Sequence, residues 1–223
     1  MSKLHVDSVT KSFGDRKILQ DIYIGCETGQ VVGLLGRNGT GKSTLLKIIF
    51  GTERGDNQFI KYDHTILKNI SDRKNRISYL PQNLFLPKYI KIKNLIPLFC
   101  NPKNTELLFT SEFIQPFLHQ KPKNLSTGEQ RIIETLMMIY SEADFILLDE
   151  PFHSLSPKIT EELKKYIRQE SARKGFIISD HNFKDVLDIS DQILLLSEGH
   201  LKQIQDLSEL QRYNYLPKYN RQF

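Results

Sequence analysis

The stretch that most clearly indicates a binding function is a glycine-rich loop in the first quarter of the chain. The loop reads Gly36-Arg37-Asn38-Gly39-Thr40-Gly41-Lys42-Ser43-Thr44. It fits the pattern G-x-x-x-x-G-K-[ST], in which glycines let consecutive main-chain N–H groups turn inward around an anion. Lys42 adds a point charge for the outer phosphates, and the Ser43 hydroxyl can ligate Mg²⁺. The loop therefore predicts a nucleoside triphosphate site; a chance glycine turn before a helix is the alternative.

Two adjacent carboxylates form the second candidate group. Asp149 and Glu150 end the run Phe145-Ile146-Leu147-Leu148-Asp149-Glu150. A continuous apolar run is typical of a central parallel strand buried on both faces. At the end of such a strand Asp149 could hold Mg²⁺ through water, and Glu150 could polarise an attacking water. The alternative is a pair of ordinary surface acids.

Two further polar side chains follow apolar stretches of the sequence. Gln82 comes after the predicted strand Arg76–Leu80, and His181 comes shortly after the predicted strand Phe176–Ser179. Polar groups just past the carboxyl ends of strands are where α/β sheets contact ligands. His181 could hydrogen-bond a γ-phosphate, whereas a loop glutamine and a structural histidine are the plainer interpretations.

A possible second anion site opens an amphipathic helix. Ser126 and Glu129 form the pattern of an ordinary capping box, which is the simpler interpretation. The same geometry makes Ser126 and the Gly128 N–H an anion-facing helix N-terminus. Phe13, in a predicted exposed turn over residues 11–16, is expected either to cap the edge of a core or to stack on a nucleobase.

The elements that must position these residues indicate an α/β fold. Val31–Leu35 predicts a buried strand before the loop, and an apolar helix follows it until Gly51. Residues 83–124 carry five prolines and predict a small inserted helical subdomain, with one helix over Lys91–Ile96 and another over Thr105–Leu118. Ser156, as N-cap, starts a predicted helix that runs through Lys174.

Composition narrows the class of protein. The chain has 223 residues, a net charge of +5 and two cysteines without metal-binding spacing. The cysteines indicate reduced thiols in the cytosol. No apolar run approaches the roughly 20 residues that span a bilayer, and the first residues lack the apolar core of a signal peptide. The small positive net charge is compatible with binding to a nucleotide or to a membrane surface, and equally with a surface that is only solvated.

Taken in order, these motifs resemble the nucleotide-binding subunit of ATP-binding cassette (ABC) transporters over nearly the whole chain. Gly36–Thr44 is similar to the Walker A loop, and Phe145–Asp149 to the Walker B strand. Gln82 resembles the Q-loop glutamine, Leu125–Glu129 the signature motif, Glu150 the catalytic glutamate, His181 the switch histidine and Phe13 the base-stacking aromatic.

The resemblance implies a P-loop NTPase core with a parallel central sheet, an N-terminal antiparallel β subdomain and the inserted helical subdomain. It implies that residues 1–82 and 145–205 form a RecA-like core with the β subdomain, 83–144 a helical signature subdomain, and 206–223 a C-terminal helix and tail. In this scheme Lys42, Gln82, Glu150 and His181 are catalytic. Ser43, Gln82 and Asp149 bind Mg²⁺, while Phe13, Gly36–Thr44, Ser126 and Gly128 bind ATP.

The resemblance also implies partners and a place in the cell. Two cassettes, identical or paired with a different one, would sandwich ATP head to tail, so Ser126 and Gly128 would touch the nucleotide held by the partner. ATP binding would close this dimer and hydrolysis would open it, and integral membrane permease subunits would receive that motion. This chain would lie on the cytoplasmic face of the membrane. No further C-terminal domain and no nucleic acid are expected.

Three positions depart from the family pattern. Thr127 stands for the first signature glycine, and its β-branched side chain restricts backbone approach. Glu129 stands where glutamine is common. Ser156 stands where the family's D-loop has aspartate, so the helix cap is expected to remain while the charge is lost.

Two other classes of protein remain as alternatives. A soluble ABC ATPase acting on the ribosome or DNA usually carries two cassettes or a long coiled-coil insertion, and neither occurs here. A P-loop kinase or switch GTPase leaves the Ser126 helix and His181 without a role, and the chain lacks an N-K-x-D-like base reader.

Overall fold

Two β-sheets form the framework of the computed structural model, which describes residues 1–213 and 215. The strands are β1 Lys3–Phe13, β2 Arg16–Glu27, β3 Val31–Leu35, β4 Asn57–Tyr62, β5 Thr65–Ile66, β6 Ile77–Leu80, β7 Phe145–Asp149, β8 Gly175–Ser179, β9 Gln192–Ser197 and β10 His200–Ile204. The helices are α1 Lys42–Phe50, α2 Ile92–Leu95, α3 Pro102–Thr110, α4 Thr127–Ile139, α5 Pro157–Ser171, α6 Phe183–Ile189 and α7 Leu207–Arg212. Short 3-10 turns cover Ile70–Arg73, Ile96–Leu98, Gln115–Phe117 and Pro122–Asn124.

The larger sheet has the strand order β10-β9-β3-β8-β7-β6 and is parallel except for its edge strand β10. The predicted parallel central sheet is therefore confirmed. Along β7 the side chains alternate: Phe145 and Leu147 pack in one core with α1, while Ile146 and Leu148 pack in another with α4 and α5. Because both faces are covered, the strand sequence is apolar at successive positions.

The smaller sheet, with order β2-β1-β4-β5, is antiparallel throughout and confirms the predicted β subdomain. The turn predicted over residues 11–16 is too wide, because β1 continues to Phe13, which pairs with Arg16. Only Gly14 and Asp15 connect the strands, and Gly14 has a φ of 59°. A two-residue hairpin turn needs such left-handed backbone. Phe13 consequently lies at the end of a strand.

The inserted helical subdomain is confirmed, but one of its predicted helices has the wrong extent. The helix expected over Thr105–Leu118 begins at Pro102, where the Asn101 side chain accepts a hydrogen bond from the Asn104 N–H at 2.9 Å. It ends at Thr110, since Ser111 has an extended backbone. Asparagine at the cap with proline in the first turn is a strong start signal that the periodicity alone did not reveal.

Two predictions for the second half of the chain need correction. The helix predicted through Lys174 ends at Ser171, because residues 172–174 form the turn into β8. Ser156 occupies the N-cap of α5, but its side chain makes no capping hydrogen bond; its carbonyl accepts from the Thr160 N–H at 2.9 Å. Ser156 therefore occupies the predicted cap position, but its side chain does not cap the helix. Of the tail expected over 206–223, α7 and Tyr215 are described, whereas positions 214 and 216–223, with Tyr219, lie outside the described residues. Within the described part of the chain no helix could span a bilayer.

Candidate nucleotide site

A cavity of about 420 Å³ opens where four parallel strands of the larger sheet end. It is lined by Phe13, Ile18, Asn38, Gly39, Gly41, Lys42, Ser43, Thr44, Gln82, Glu150 and His181. Polar residues that follow β3, β6, β7 and β8 meet here because the carboxyl ends of parallel strands share one edge of a sheet. Residues that lie up to 168 positions apart in the sequence (13 and 181) thus line a single cavity.

Some of the predicted site residues lie outside the cavity lining. Gly36, Arg37 and Thr40 belong to the same loop but do not line the cavity, and Thr40 Oγ1 donates to the Arg37 carbonyl at 2.8 Å. Asp149 is buried beneath the lining. Ile18 is a lining residue that the sequence did not reveal, because nothing distinguishes it from the other aliphatic residues of β2.

The loop requires glycine at the start of α1. Gly41 is the N-cap residue with a φ of 109°, and a Cβ there would lie 2.6 Å from Ile18 Cγ2. A larger residue would therefore push the loop away from β2. No side chain caps this helix end, so its first amide groups are not occupied by a capping oxygen. An uncapped helix N-terminus with its positive dipole end is suited to a phosphate.

Lys42 lies at the floor of the loop, 7% exposed. Its Nζ donates to the Gly36 carbonyl at 2.6 Å and to the Arg37 carbonyl at 3.2 Å. Burial lowers the Lys42 pKa, while the nearby charges of Asp149 and Glu150 act in the opposite direction. The ammonium group is thus held in place beside the cavity by uncharged carbonyls.

Asp149 is fixed in orientation by two hydroxyl groups. Ser179 Oγ donates to its Oδ1 at 2.7 Å, and the Tyr79 hydroxyl donates to its Oδ2 at 3.2 Å. Burial raises the pKa of Tyr79, so the phenol keeps its proton and remains a donor. Each carboxylate oxygen retains a free lone pair with which it could accept a hydrogen bond from a metal-bound water.

Glu150 and His181 face each other in the cavity, with 2.6 Å between Oε1 and Nε2. Glu150 is 4% exposed, whereas His181 is accessible to solvent. The Glu150 backbone is left-handed, with a φ of 57°, and its N–H donates to the Ser179 carbonyl at 2.7 Å. Left-handed backbone is unfavourable for glutamate, and such strain persists only where the surroundings enforce it.

Asp180 is a site residue that sequence reasoning missed. Its buried carboxylate accepts from the Phe152 N–H at 3.0 Å and from the Asn182 N–H at 3.0 Å. These bonds join the segment after Glu150 to the turn that carries His181. Burial raises the Asp180 pKa, opposed by these two hydrogen bonds. Only its position beside His181 could have drawn attention to it.

The turn at the start of α4 does not join the cavity of its own chain. Ser126 is exposed, and the predicted capping box is formed: the Ser126 N–H donates to Glu129 Oε2 at 2.7 Å, and the Glu129 N–H to Ser126 Oγ at 3.2 Å. A Cβ on Gly128 would lie 2.7 Å from the Ser154 carbonyl oxygen. Close packing against the 150–156 segment therefore requires glycine there.

Three side chains near the loop could contribute oxygen ligands to a metal ion. Within residues 1–213 and 215, no three His, Cys, Asp or Glu side chains cluster so as to hold a metal ion. Ser43, Gln82 and Asp149 offer oxygen atoms near the loop. Mg²⁺ is usually bound by one or two protein oxygens together with phosphates and water, so this set suits it only with a bound polyphosphate.

Comparisons with known proteins agree with this geometry. The family model described as "ABC transporter" matches residues 19–153, which is more than half of the chain. The sulfate/thiosulfate import ATP-binding protein CysA of Vibrio cholerae is 28% identical over 93% of this chain, and that of Bacillus cereus 27% over 90%. The chain spans about three fifths of the length of these relatives (59% and 60%).

Solved structures share the fold. A structure of the ATP-binding subunit of an ABC transporter superposes with a TM-score of 0.81 at 21% identity, covering 96% of this chain and 93% of its own. A nucleotide-free ATP-binding cassette from an ABC transporter gives 0.79 at 22% identity, covering 98% and 97%. With the family model matching most of the chain and the fold shared throughout, this chain belongs to the ABC transporter family.

Proposed function

We propose that this chain is the ATP-binding and ATP-hydrolysing subunit of an ABC transporter. The observation that carries the proposal is the single cavity in which the loop around Lys42 meets Gln82, Glu150 and His181. The loop amides and Lys42 would hold the phosphates, and Phe13, which is 53% exposed at the cavity rim, would stack on the base. The relatives' names, which state ATP binding, support the same ligand.

Mg²⁺ would be held by Ser43, Gln82 and, through water, Asp149. When bound with ATP, the metal would neutralise part of the phosphate charge. Hydrolysis needs a water whose oxygen bonds to the γ-phosphorus as the bond from that phosphorus to the β,γ-bridging oxygen breaks. Glu150 would accept the proton of this water. The His181 Nε2, which contacts Glu150 in the structure, would instead donate to the γ-phosphate of bound ATP; ADP and phosphate are the products.

A second cassette would complete the site. Ser126 and Gly128 lie outside the chain's own cavity, and Ser126 is exposed, so both are available to another molecule. In a two-fold dimer each copy would present this turn to the nucleotide held by the other. In such an isologous interface every contact occurs twice, once from each copy. Thr127 and Ser156 would lie in that interface.

ATP should drive dimerisation of a hydrolysis-impaired protein. We expect Glu150→Gln to elute as a dimer from size exclusion with light scattering when Mg²⁺ and ATP are present, and as a monomer with ADP. Adding Gly128→Asp should abolish the dimer without changing ATP affinity, because the new carboxylate would oppose the phosphates and crowd Ser154.

The control for added charge is Gln115→Glu, at an exposed position of the helical subdomain. It should leave the ATP-dependent dimer intact. A dimer that persists with Gly128→Asp, or one that forms equally with ADP, contradicts the shared site.

A membrane subunit would dock beside the Gln82 loop. An apolar cavity of about 550 Å³ there is lined mainly by Phe50, Ile77, Pro81, Phe85, Phe99 and Met138, with Lys47 and Lys74 among the other lining residues. An apolar segment that carries an acidic residue matches this lining. Because Pro81 and Phe85 flank the Gln82 loop, such a segment would feel changes at the nucleotide site. The chain would then lie on the cytoplasmic face of the membrane.

Affinity purification from detergent-solubilised membranes distinguishes a transporter subunit from an ABC ATPase of ribosomes or DNA. We expect integral membrane proteins to co-purify, and Lys74→Glu to reduce their recovery by about tenfold through charge repulsion. Lys103→Glu, a reversal at another exposed position, is the control. Recovery of ribosomal or DNA-bound particles instead, unaffected by Lys74→Glu, contradicts the proposal.

A further inference from the structure

Two charged side chains on α4 are buried although neither lines the nucleotide cavity. Arg131 is 2% exposed, and the Glu134 side chain is fully buried. Burying charge is costly unless the groups are paired and hydrogen-bonded, and apolar residues of similar volume stabilise a helix interface at least as well. Packing of α4 therefore does not explain why these positions carry charges.

Arg131 contacts main-chain carbonyls at the ends of two strands. Its Nε donates to the Glu150 carbonyl at 3.0 Å, and its Nη2 donates to the Glu150 carbonyl at 2.8 Å and to that of Asp149. Its Nη1 donates to the Pro81 carbonyl at 2.7 Å. One guanidinium group thus holds the peptide units that carry both acids and the residue that precedes Gln82.

Glu134 holds the other end of the Gln82 loop. Its Oε1 accepts from the Phe85 N–H at 2.8 Å and from the Leu86 N–H at 3.0 Å. Its Oε2 lies 3.8 Å from Arg131 Nη1 and makes no hydrogen bond within the described residues. Two side chains one helical turn apart therefore fix residues 81 and 85–86, the two ends of the segment in between.

The same helix begins at the turn that carries Ser126 and Gly128. Arg131 lies five residues beyond Ser126, a rise of about 7.5 Å along the helix. A displacement of the first turn of α4 therefore moves the guanidinium group as well. Since Glu150 is held in a left-handed conformation next to this group, its backbone is sensitive to such a displacement.

We propose that Arg131 and Glu134 are positioning residues for ATP hydrolysis, a role that rests on the proposed function. Arg131 sets the backbone of Glu150 and the first end of the Gln82 loop, and Glu134 sets the second end. Through them, engagement of Ser126 and Gly128 by the partner's nucleotide places Glu150 and Gln82 in the chain's own site.

The kinetic test uses Arg131→Met, Arg131→Lys and the double variant Arg131→Met with Glu134→Gln. We expect Arg131→Met to lower kcat by about 10- to 100-fold and the KM for ATP and the affinity for ADP to change less than about twofold. Arg131→Lys should be intermediate, because lysine keeps the charge but not the fork of donors. Arg173→Met, at a residue 56% exposed, is the control.

Stability separates positioning from a merely structural role. Arg131→Met leaves the Glu134 carboxylate buried without its counter-charge, so the melting temperature should fall. The double variant removes that charge while its glutamine oxygen can still accept from Phe85 and Leu86. It should therefore recover the part of the melting temperature that the unpaired charge costs, but not kcat; the carbonyls that lose Arg131 remain without their donor in both variants. Recovery of both means that Arg131 acts only through stability and overturns the proposal.

Fluorescence quenching measures the solvent exposure of the Gln82 loop without requiring ATP hydrolysis. The chain has no tryptophan, and Leu84 lies in the Gln82 loop with 37% exposure, so Leu84→Trp introduces a single probe. In the Arg131→Met and double variants we expect acrylamide quenching to rise by about twofold, as the loop loses its anchor at Pro81. Unchanged quenching together with unchanged kcat overturns the proposal.

The two proposals fail differently. If the parent protein neither binds nor hydrolyses ATP, the proposed function is wrong and the hydrolytic role of Arg131 falls with it, whereas quenching still decides whether Arg131 fixes the loop. If the parent is active and Arg131→Met loses kcat and ADP affinity by the same factor, the cassette function stands and the positioning role is overturned.

Discussion

Glu150→Gln is expected to lower ATP turnover by about 100-fold or more and to leave ATP affinity within about twofold. Glutamine has the shape of glutamate but cannot accept the proton of the attacking water. The left-handed backbone and the contacts of Arg131 with the Glu150 carbonyl do not depend on the carboxylate, so the local fold should persist. The His181 contact at 2.6 Å can be kept by the amide oxygen.

Steady-state phosphate release measures this effect, and binding of a fluorescent ATP analogue supplies the affinity. Glu106→Gln, the same chemical change at an exposed position of α3, is the control and should behave as wild type. If Glu150→Gln hydrolyses ATP at the wild-type rate, Glu150 is not the proton acceptor.

Lys42→Met should weaken ATP binding by about 10- to 100-fold, the value of one or two charge-assisted hydrogen bonds. It should also lower turnover at saturating ATP by about 100-fold, because the charge that develops on the phosphates loses a fixed donor. Methionine keeps the unbranched stem, and the Gly36 and Arg37 carbonyls lose only the ammonium that bonds to them. A loss of function with an intact fold is therefore expected.

Calorimetry with ATP and with AMP distinguishes the phosphate contacts from those to the base. We expect the Lys42→Met defect for ATP and little change for AMP, since Lys42 is proposed to reach the outer phosphates. Lys165→Met removes an exposed ammonium from α5 and should bind ATP like wild type. Equal losses for both nucleotides, with a lowered melting temperature, would point to a misfolded loop instead.

These two variants test different steps. A protein with Lys42→Met should fail to form the ATP-dependent dimer because it is expected to bind ATP poorly. Glu150→Gln should accumulate the dimer, because we propose that hydrolysis opens it. The pair therefore separates nucleotide capture from the chemical step within the same cavity.

The sequence by itself determined the features that depend on neighbouring residues. The loop Gly36–Thr44 is contiguous, so the types and spacing of its residues were enough to predict a phosphate-binding loop. Apolar runs at β3, β7 and β8 predicted buried parallel strands, and strand-end positions then predicted that Gln82, Glu150 and His181 would meet. The capping box at Ser126 was predictable for the same reason, because its two residues, Ser126 and Glu129, are close in the sequence.

The errors in the sequence interpretation came where two local signals compete. Apolar periodicity extended a predicted helix to Leu118, while the Asn101 cap and Ser111 gave the true limits. Ser156 has the right residue type for a cap, yet its side chain makes no bond to the helix. Residue type states what a side chain is able to do, and packing decides whether it does so.

Only the tertiary structure decided how the site is held together. Arg131 binds carbonyls 50 and 18 to 19 residues away, and Asp180 binds an amide 28 residues away. Every residue has a main-chain carbonyl, and every residue except proline an N–H, so these acceptors and donors leave no mark on the sequence. Folding therefore selects the partners by proximity, whereas the loop that we propose binds phosphate is defined by its own residues.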